Sequence, residues 1–311
     1  MNFTVGIDSI QLQVEVLEGD KQRAIANGIK KALSSTFSSL YGFETYKKKN
    51  LSIYTFFTAA TRIMELKTGI YLSGHYKDKK RYPIYYISIE MAGLKSYDAQ
   101  ADELSFDCLV RVVAYLNTHV IRFNINSLDV YVDMQCPFAF TYAFCNKKAS
   151  GVKYYDVYEP QPYTSTIYIE KYDHTHKRVM KRAYLYDKSL KERNMNRSIT
   201  RFELRLQPRF FSRFNHFLWS ELRDELDRYH ILCFPTLEEK HMALLQYAQY
   251  APLIRRRNLY RLGLDRYRII PNISGVENFL FELLIIQEHL LNLPDMIIPS
   301  VFRGILHLKN A

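Results

Sequence analysis

Apolar and polar residues alternate from Val5 to Val16, with Ile7, Ile10, Leu12, Val14 and Val16 as the apolar set, and this period predicts a first β-strand. After Asp20 the spacing widens to Ala24, Ile25, Ile29, Ala32 and Leu33, which is one face of a helix. The segments Leu51–Phe57, Thr68–His75 and Pro83–Glu90, rich in Tyr and Ile, predict a meander of strands joined by basic turns. Leu104, Cys108, Leu109, Val112, Val113 and Leu116 place a second helix over Ala101–His119, and Ser127–Met134 alternates again as a strand. A loop with Ser150, Gly151, Pro160 and Pro162 follows, then strands over Ser165–Lys171, Val179–Lys188 and Thr200–Leu206. Pro208 opens a helix with Phe211, Phe214, Leu218, Leu222 and Leu226 on its apolar side, and beyond Tyr229 the pattern reads as helical throughout. The whole predicts an α+β fold: a mainly antiparallel sheet with packing helices over residues 1–210, then a helical C-terminal region over 211–311.

Composition narrows the classes. With 311 residues, 48% of them apolar, and no low-complexity tract, the chain is neither disordered nor collagenous. Cys108, Cys136, Cys145 and Cys233 lie far apart with no Cys-x-x-Cys pair, which excludes a zinc ribbon or a dense disulfide framework and suits a reducing cytoplasm. Asp8 interrupts any signal-peptide core, and Glu277, Glu282, Gln287, Glu288 and His289 make the apolar stretch 276–293 a buried amphipathic helix rather than a span, so no membrane partner is expected. The excess of 43 Lys and Arg over 32 Asp and Glu leaves a net charge of +11, which points to a polyanionic partner. There are 25 Tyr and 19 Phe beside a single Trp, so tyrosine is available for stacking or for chemistry.

Period-two geometry sorts the polar residues into faces. Asp129, Tyr131 and Asp133 share one face of their strand, Arg201, Glu203 and Arg205 another, Tyr184, Tyr186 and Lys188 a third, and Ser88 and Glu90 a fourth. Were these strands neighbours, Asp129, Glu203 and Glu90 would offer hard oxygen ligands to Mg²⁺ or Mn²⁺ beside tyrosine hydroxyls, a set suited to phosphoryl chemistry with a tyrosine nucleophile. A free tyrosine ionises near pH ~10, so Lys188 or the ion would have to favour the phenolate. The same alternation equally suits wet strand faces on which carboxylates pair with arginines across the sheet. No Gly-x-x-x-x-Gly-Lys or Gly-x-Gly-x-x-Gly loop occurs, so a helicase or ATPase activity would belong to another protein.

Five segments come in a telling order: Ile7-Asp8-Ser9-Ile10-Gln11-Leu12, Ile89-Glu90-Met91-Ala92-Gly93, Ser127-Leu128-Asp129-Val130, Tyr184-Leu185-Tyr186-Asp187-Lys188 and Thr200-Arg201-Phe202-Glu203-Leu204-Arg205-Leu206. In this order the chain resembles the Rep_trans family of rolling-circle replication initiators and, more distantly, the filamentous-phage gene II replication proteins. The resemblance runs from Ile7 to Phe211. It implies a domain that nicks and rejoins DNA: a strand tyrosine attacks a phosphodiester at the replication origin, leaving a 5′-phosphotyrosine and a free 3′-OH primer. On that likeness Tyr186 is the nucleophile with Lys188 beside it, Tyr184 is the reserve candidate, and Asp129, Glu203 and Glu90 are the acidic positions for Mg²⁺ or Mn²⁺. Origin DNA, a host helicase and a polymerase are the implied partners, in the cytoplasm. Two departures stand out. Glu170-Lys171 and a long basic hairpin, 171–182, occur where family members often carry Gly-Ser, and Ser127 replaces an arginine.

Candidate DNA contacts are Arg201 and Arg205, Lys177, Arg178 and Arg182 of the basic hairpin, and Arg255, Arg256, Arg257, Arg261 and Arg266, which alternate with Tyr260 and Tyr267 and so can touch phosphates and stack. The runs at 47–49 and 77–81 read as solvated faces. A helix over 280–291 either packs beneath the arginine segment or forms a homodimer contact. His174-Thr175-His176 is a poor match to the His-hydrophobe-His metal motif of another class of nicking enzymes, and His119-Val120-Ile121-Arg122, in a β-rich context, reads as a surface or capping feature rather than a recombinase motif. A conjugative relaxase of the same chemistry and a non-catalytic DNA-binding protein are the alternatives.

Overall fold

The computed structural model describes residues 3–59, 61–74, 81–91, 99–145, 154–158, 166–173, 178–191, 198–206, 222–223, 226–227, 229–250 and 263–276. They form an α+β fold in which every registered strand pairing is antiparallel. The chain divides into two compact units, one built on Ile7–Leu128 and the other on Met1–Gly6 with Asp129–Glu277.

In the first unit, β1 (Phe3–Val16), β2 (Tyr41–Lys48), β3 (Leu51–Phe57), β4 (Arg62–Gly74) and β5 (Arg81–Met91) lie in the order β2-β3-β4-β5-β1. The register sets Ile10, Leu12 and Val14 of β1 opposite Met91, Ile89 and Ile87 of β5, and Met64 and Leu66 of β4 opposite Met91 and Ile89. All of these are buried, because one face of the sheet is covered by α1 (Gly19–Thr36) and α2 (Ala99–Thr118). Ile25, Ile29 and Leu33 of α1 and Leu109, Val112, Val113 and Leu116 of α2 supply the helical half of that core. Gln22 is buried there too, and its Nε2 donates to the carbonyls of Gly69 at 2.9 Å and Tyr86 at 2.7 Å, which ties α1 to two strands.

The second unit contains most of β6 (Asn124–Met134), then β7 (Thr141–Cys145), β8 (Tyr154–Tyr158), β9 (Thr166–Asp173), β10 (Arg178–Asp187), the one-turn helix α3 (Lys188–Lys191) and β11 (Thr200–Leu206). Its strands run in the order β6-β11-β10-β9-β8. Val130, Val132, Ala183, Leu185, Phe202 and Leu204 are fully buried on one side, so the alternate residues carry the polar groups. A second, three-stranded sheet orders β13 (Arg268–Ile269), β12 (Tyr229–Cys233) and β7, and α4 (Leu237–Tyr250) follows β12.

Several elements depart from the sequence pattern. The chain beyond Tyr229 is not wholly helical: Tyr229-His230-Ile231-Leu232 is a continuous buried run, and a short apolar run carries no period that tells strand from helix. Strand β2 was not predicted, since nearly all its residues are exposed and it leaves no apolar stripe. Strands β7 and β8 fall where a loop was expected. Cys136 and Cys233, 97 residues apart in sequence, are joined by a disulfide, while Cys108 is a buried free thiol whose pKa burial pushes up to about 12. No helix among the described residues is long and apolar enough to cross a membrane. The helices expected after Pro208 and over 280–291 lie outside the described residues, except that Leu222 and Leu226 are buried as their pattern required.

Gly28 of α1 tests the packing of the two helices. A Cβ there would lie 1.8 Å from the Tyr115 hydroxyl and 2.3 Å from its Cζ. Helix propensity favours Ala over Gly by about 1 kcal/mol, whereas overpacking costs about 1–3 kcal/mol. Gly28→Ala is therefore expected to lower the urea midpoint at unchanged slope, and adding Tyr115→Ala to remove the penalty of the new methyl. A raised midpoint for Gly28→Ala alone would mean that the Tyr115 ring swings away freely.

Candidate functional site

The polar face of the second unit is built from β6, β11 and β10. In the β10–β11 register Tyr184 stands opposite Glu203 and Tyr186 opposite Arg201, so these side chains share one face. On β6, Asp129 and Asp133 are two strand periods apart. Arg205 Nε donates to Asp129 Oδ1 at 2.7 Å and its Nη2 to Oδ2, while Arg201 Nε and Nη2 grip Asp133 at 2.6 and 3.0 Å. The cross-strand pairing of carboxylate with arginine that the alternation allowed is thus present for both aspartates.

Asp133 holds a second cation. Lys188 Nζ donates to its Oδ2 at 2.9 Å, and the Arg201 guanidinium lies 4.1 Å from the centroid of the Tyr131 ring. Burial alone would raise the Asp133 pKa. The hydrogen bonds and charges of Arg201 and Lys188 outweigh it and hold the carboxyl below its ordinary value. Arg205 is shifted the other way: its hydrogen bond to Asp129 raises its pKa despite partial burial.

The sequence Tyr186-Asp187-Lys188 acquires a local explanation. Asp187 ends β10, and its Oδ1 accepts the backbone N–H of Leu190 at 2.9 Å, so it caps α3. Lys188 is consequently not on the strand with Tyr184 and Tyr186; it opens the helical turn, where its N–H donates to Ile199 at 2.9 Å. The turn also brings Lys191 Nζ to 4.5 Å from the Tyr186 ring centroid. Tyr186 itself is buried, and its hydroxyl donates to Glu203 Oε2 at 3.1 Å. Tyr184 is half-buried.

Structure therefore brings together Tyr184, Tyr186, Lys188, Asp129, Glu203, Arg201 and Arg205. Glu90 belongs to the other unit, on β5, in register with Gln11 and Glu65. The metal set expected from Asp129, Glu203 and Glu90 meets a physical obstacle: Asp129 is taken by Arg205 and Glu203 by the Tyr186 hydroxyl. Among the described residues no group of three His, Cys, Asp or Glu side chains is placed to hold a metal ion. As arranged, this donor set does not fit Mg²⁺ or Mn²⁺. Arg201, 1% exposed, has the geometry of a buried counterion, whereas the Arg205 side chain keeps 40% of its surface exposed.

Asp133 and Lys191 join this site without being among the catalytic or metal-binding candidates that the sequence offers. Asp133 was legible as the third polar position of the β6 face, but Lys191 depended on the Asp187 cap. The backbone of Arg178 and Arg182 is described in β10, and Lys177, Arg255, Arg256, Arg257, Arg261, His174 and His176 lie outside the described residues. Arg266 stacks 4.6 Å from the Tyr267 ring centroid, and the Tyr267 hydroxyl donates to Glu239 at 2.5 Å. His119 ends α2 with Nδ1 2.8 Å from the Tyr115 carbonyl, a capping position.

No family model matches the chain, and no curated protein matches it in sequence. Among solved structures it is similar to that of a rolling circle replication initiator protein from Geobacillus stearothermophilus, at 12% identity and a TM-score of 0.39, with 76% of this chain and 88% of that chain covered. A likeness that distant assigns no function.

The Asp133 cluster yields a stability prediction. Since its folded pKa is held below the ordinary carboxylate value of about 3.9, Asp133 adds stability that is complete above that value and is lost as pH falls through the folded one. Asp133→Asn is expected to cost about 3–5 kcal/mol at neutral pH, by stranding buried cations, and to flatten the acid limb of stability against pH. Urea unfolding from neutral into acid pH checks both; an acid limb unchanged by the substitution would remove Asp133 as its source.

Proposed function

We propose that this chain is a replication-initiation protein that nicks and rejoins origin DNA through Tyr186. The observation that carries the proposal is the buried hydrogen bond from the Tyr186 hydroxyl to Glu203, with Lys191 over the same ring. The order of the sequence motifs supports it as well. The solved initiator structure is of the same class but too distant in fold to add weight.

The chemistry is an exchange of one phosphodiester for another. Tyr186 Oη attacks the phosphorus, and its proton passes to the Glu203 carboxylate that already accepts its hydrogen bond. The bond from phosphorus to the 3′ oxygen breaks, that oxygen takes a proton from solvent, and the 5′ side remains as a phosphotyrosine ester. Attack by the 3′-OH on that ester reverses the step and rejoins the strand. Lys191 favours the phenolate as the proton leaves, and Arg205, a part-exposed cation of this face, faces the phosphate oxygens. Because Tyr186 is buried, the substrate strand has to displace part of its cover to reach it.

A divalent ion, Mg²⁺ or Mn²⁺, enters the proposal only through the family resemblance. Arg205 would have to release Asp129 to admit it. Host helicase and polymerase would extend the 3′-OH. The alternative with an observation in its favour is a DNA-binding protein without catalysis, since both aspartates are already neutralised by arginines.

A pool of randomised single-stranded oligonucleotides, labelled at the 3′ end, is the test. Covalent label on the protein after denaturation is expected, with loss in Tyr186→Phe and a rate about 10²–10⁴-fold lower in Glu203→Gln. Chelation of divalent ions in the same assay decides the metal. If Tyr184→Phe alone abolished the adduct, the nucleophile would be Tyr184; if the wild-type chain formed no adduct with any pool, the non-catalytic alternative would stand.

A further inference from the structure

The first unit has one sheet face covered by helices and an opposite face that ends in an aromatic edge. Strand β2 is the last strand of its sheet. Tyr41 and Phe43, two residues apart, rise from the same side of it and stand 50% exposed each. Phe57 of β3 lies beside both, with ring centroids 6.2 Å from Tyr41 and 5.1 Å from Phe43 and interplanar angles of 21° and 12°. Three nearly parallel rings therefore stand in a row on the side away from α1 and α2. The Tyr41 hydroxyl is tethered by donating to the Thr58 carbonyl at 2.9 Å, which limits rotation of the outermost ring.

The surroundings of the rings are polar and basic. Thr45 and Thr55 share a hydrogen bond of 2.9 Å on the same face. In register, Arg62 lies beside Phe57, Lys67 beside Ile53, and Lys48 at the far end beside Leu51, so cations flank the rings along the sheet. Lys49 adds exposed charge at the β2–β3 turn, while Lys47 lies on the side of β2 away from the rings, its Nζ 3.6 Å from Glu44. Glu65 is half-buried between Arg62 at 3.3 Å and Lys67 at 3.1 Å, and Glu44 falls on the opposite side of β2 from Tyr41 and Phe43.

We propose that this face of the β2–β3 hairpin is a stacking surface for single-stranded DNA, with Tyr41 and Phe43 receiving bases and Lys48, Lys67 and Arg62 holding phosphates. Flat exposed rings among cations match a partner with π faces and a negative backbone, the arrangement that binds single strands without reading sequence. A second copy of the chain is the competing occupant of any exposed edge strand. The cluster of lysines at the end of β2 opposes that pairing by repulsion between like charges. A duplex hides its bases from the rings, so single strands are selected. That the strand is DNA rests on the nicking function proposed above; the stacking and charge rest on these residues alone.

The full chain, titrated with fluorescein-labelled oligothymidylate, tests the surface. Tyr41→Ser with Phe43→Ser is expected to weaken binding about 100-fold, roughly tenfold per ring, with little change for a duplex of equal length. Lys48→Gln, Lys67→Gln and Arg62→Gln together are expected to reduce the salt slope by up to about 0.7 per lost phosphate contact. Unaltered affinity in the ring variant overturns the proposal. So does a wild-type dimer that the ring variant dissociates in sedimentation while oligonucleotide binding persists, which would assign the face to a second copy. Binding through the rings by a chain that forms no adduct with the oligonucleotide pool would end the nicking function and leave the stacking surface in place; adducts formed normally by a ring variant with unaltered binding would do the reverse.

Discussion

A carboxylate as deeply buried as Asp133 loses several kcal/mol of hydration, and the second unit recovers it by surrounding one aspartate with two cations and a ring. Arg201 approaches from β11 with two nitrogens on two oxygens, the strong form of a charged hydrogen bond, and lies over Tyr131 of β6. Lys188 arrives from α3. Three elements are thus pinned to a single side chain. Because Arg201 stands opposite Tyr186 in the strand register, the position of the tyrosine follows from where the ion cluster holds β11.

The outer pair on the same face is of a different kind. Arg205 and Asp129 have the same bidentate form, but much of the Arg205 side chain meets solvent, so the pair is worth less to stability and is easier to open. Glu203 lies between the two arginines on β11 and accepts the hydrogen bond of the Tyr186 hydroxyl away from bulk water. The order of the pairs, Asp129 with Arg205 and Asp133 with Arg201, runs in opposite senses along β6 and β11. One end of the face is therefore a buried anchor and the other a part-exposed ion pair.

The first unit solves a simpler problem. Its apolar strand residues align across β1, β5 and β4 and are covered by two helices, which leaves the other face free to be polar. Residues on that face satisfy each other: Gln11 donates to Ser88 at 2.6 Å and accepts from Asn126 at 2.9 Å. Large rings replace amides toward the β2 edge, and Tyr71 and Tyr86, with centroids 6.1 Å apart, do so again farther along β4 and β5. Exposed aromatics on a face that also carries amides and charges have a hydration cost that packing does not relieve.

How much of this could be read from the chain differs by element. Strands β3 and β11 have the limits that the residue pattern predicts, and α1, α2, β1, β5 and β6 differ by a few residues at their ends, because a buried face imposes a period on the residues that form it. The faces carrying Asp129 and Asp133, Tyr184 and Tyr186, and Glu203 with its two arginines were legible for the same reason. Strand β2, made by pairing rather than by burial, left no such period, and the buried run of β12 had none to leave. Local sequence therefore determined which side of each strand a residue occupies. Only the tertiary structure decided that each aspartate would spend its charge on an arginine, that Lys188 would turn away onto Asp133, and that Tyr186 would meet Glu203, because a side-chain period fixes direction within one strand and carries no information about which strand lies next to it.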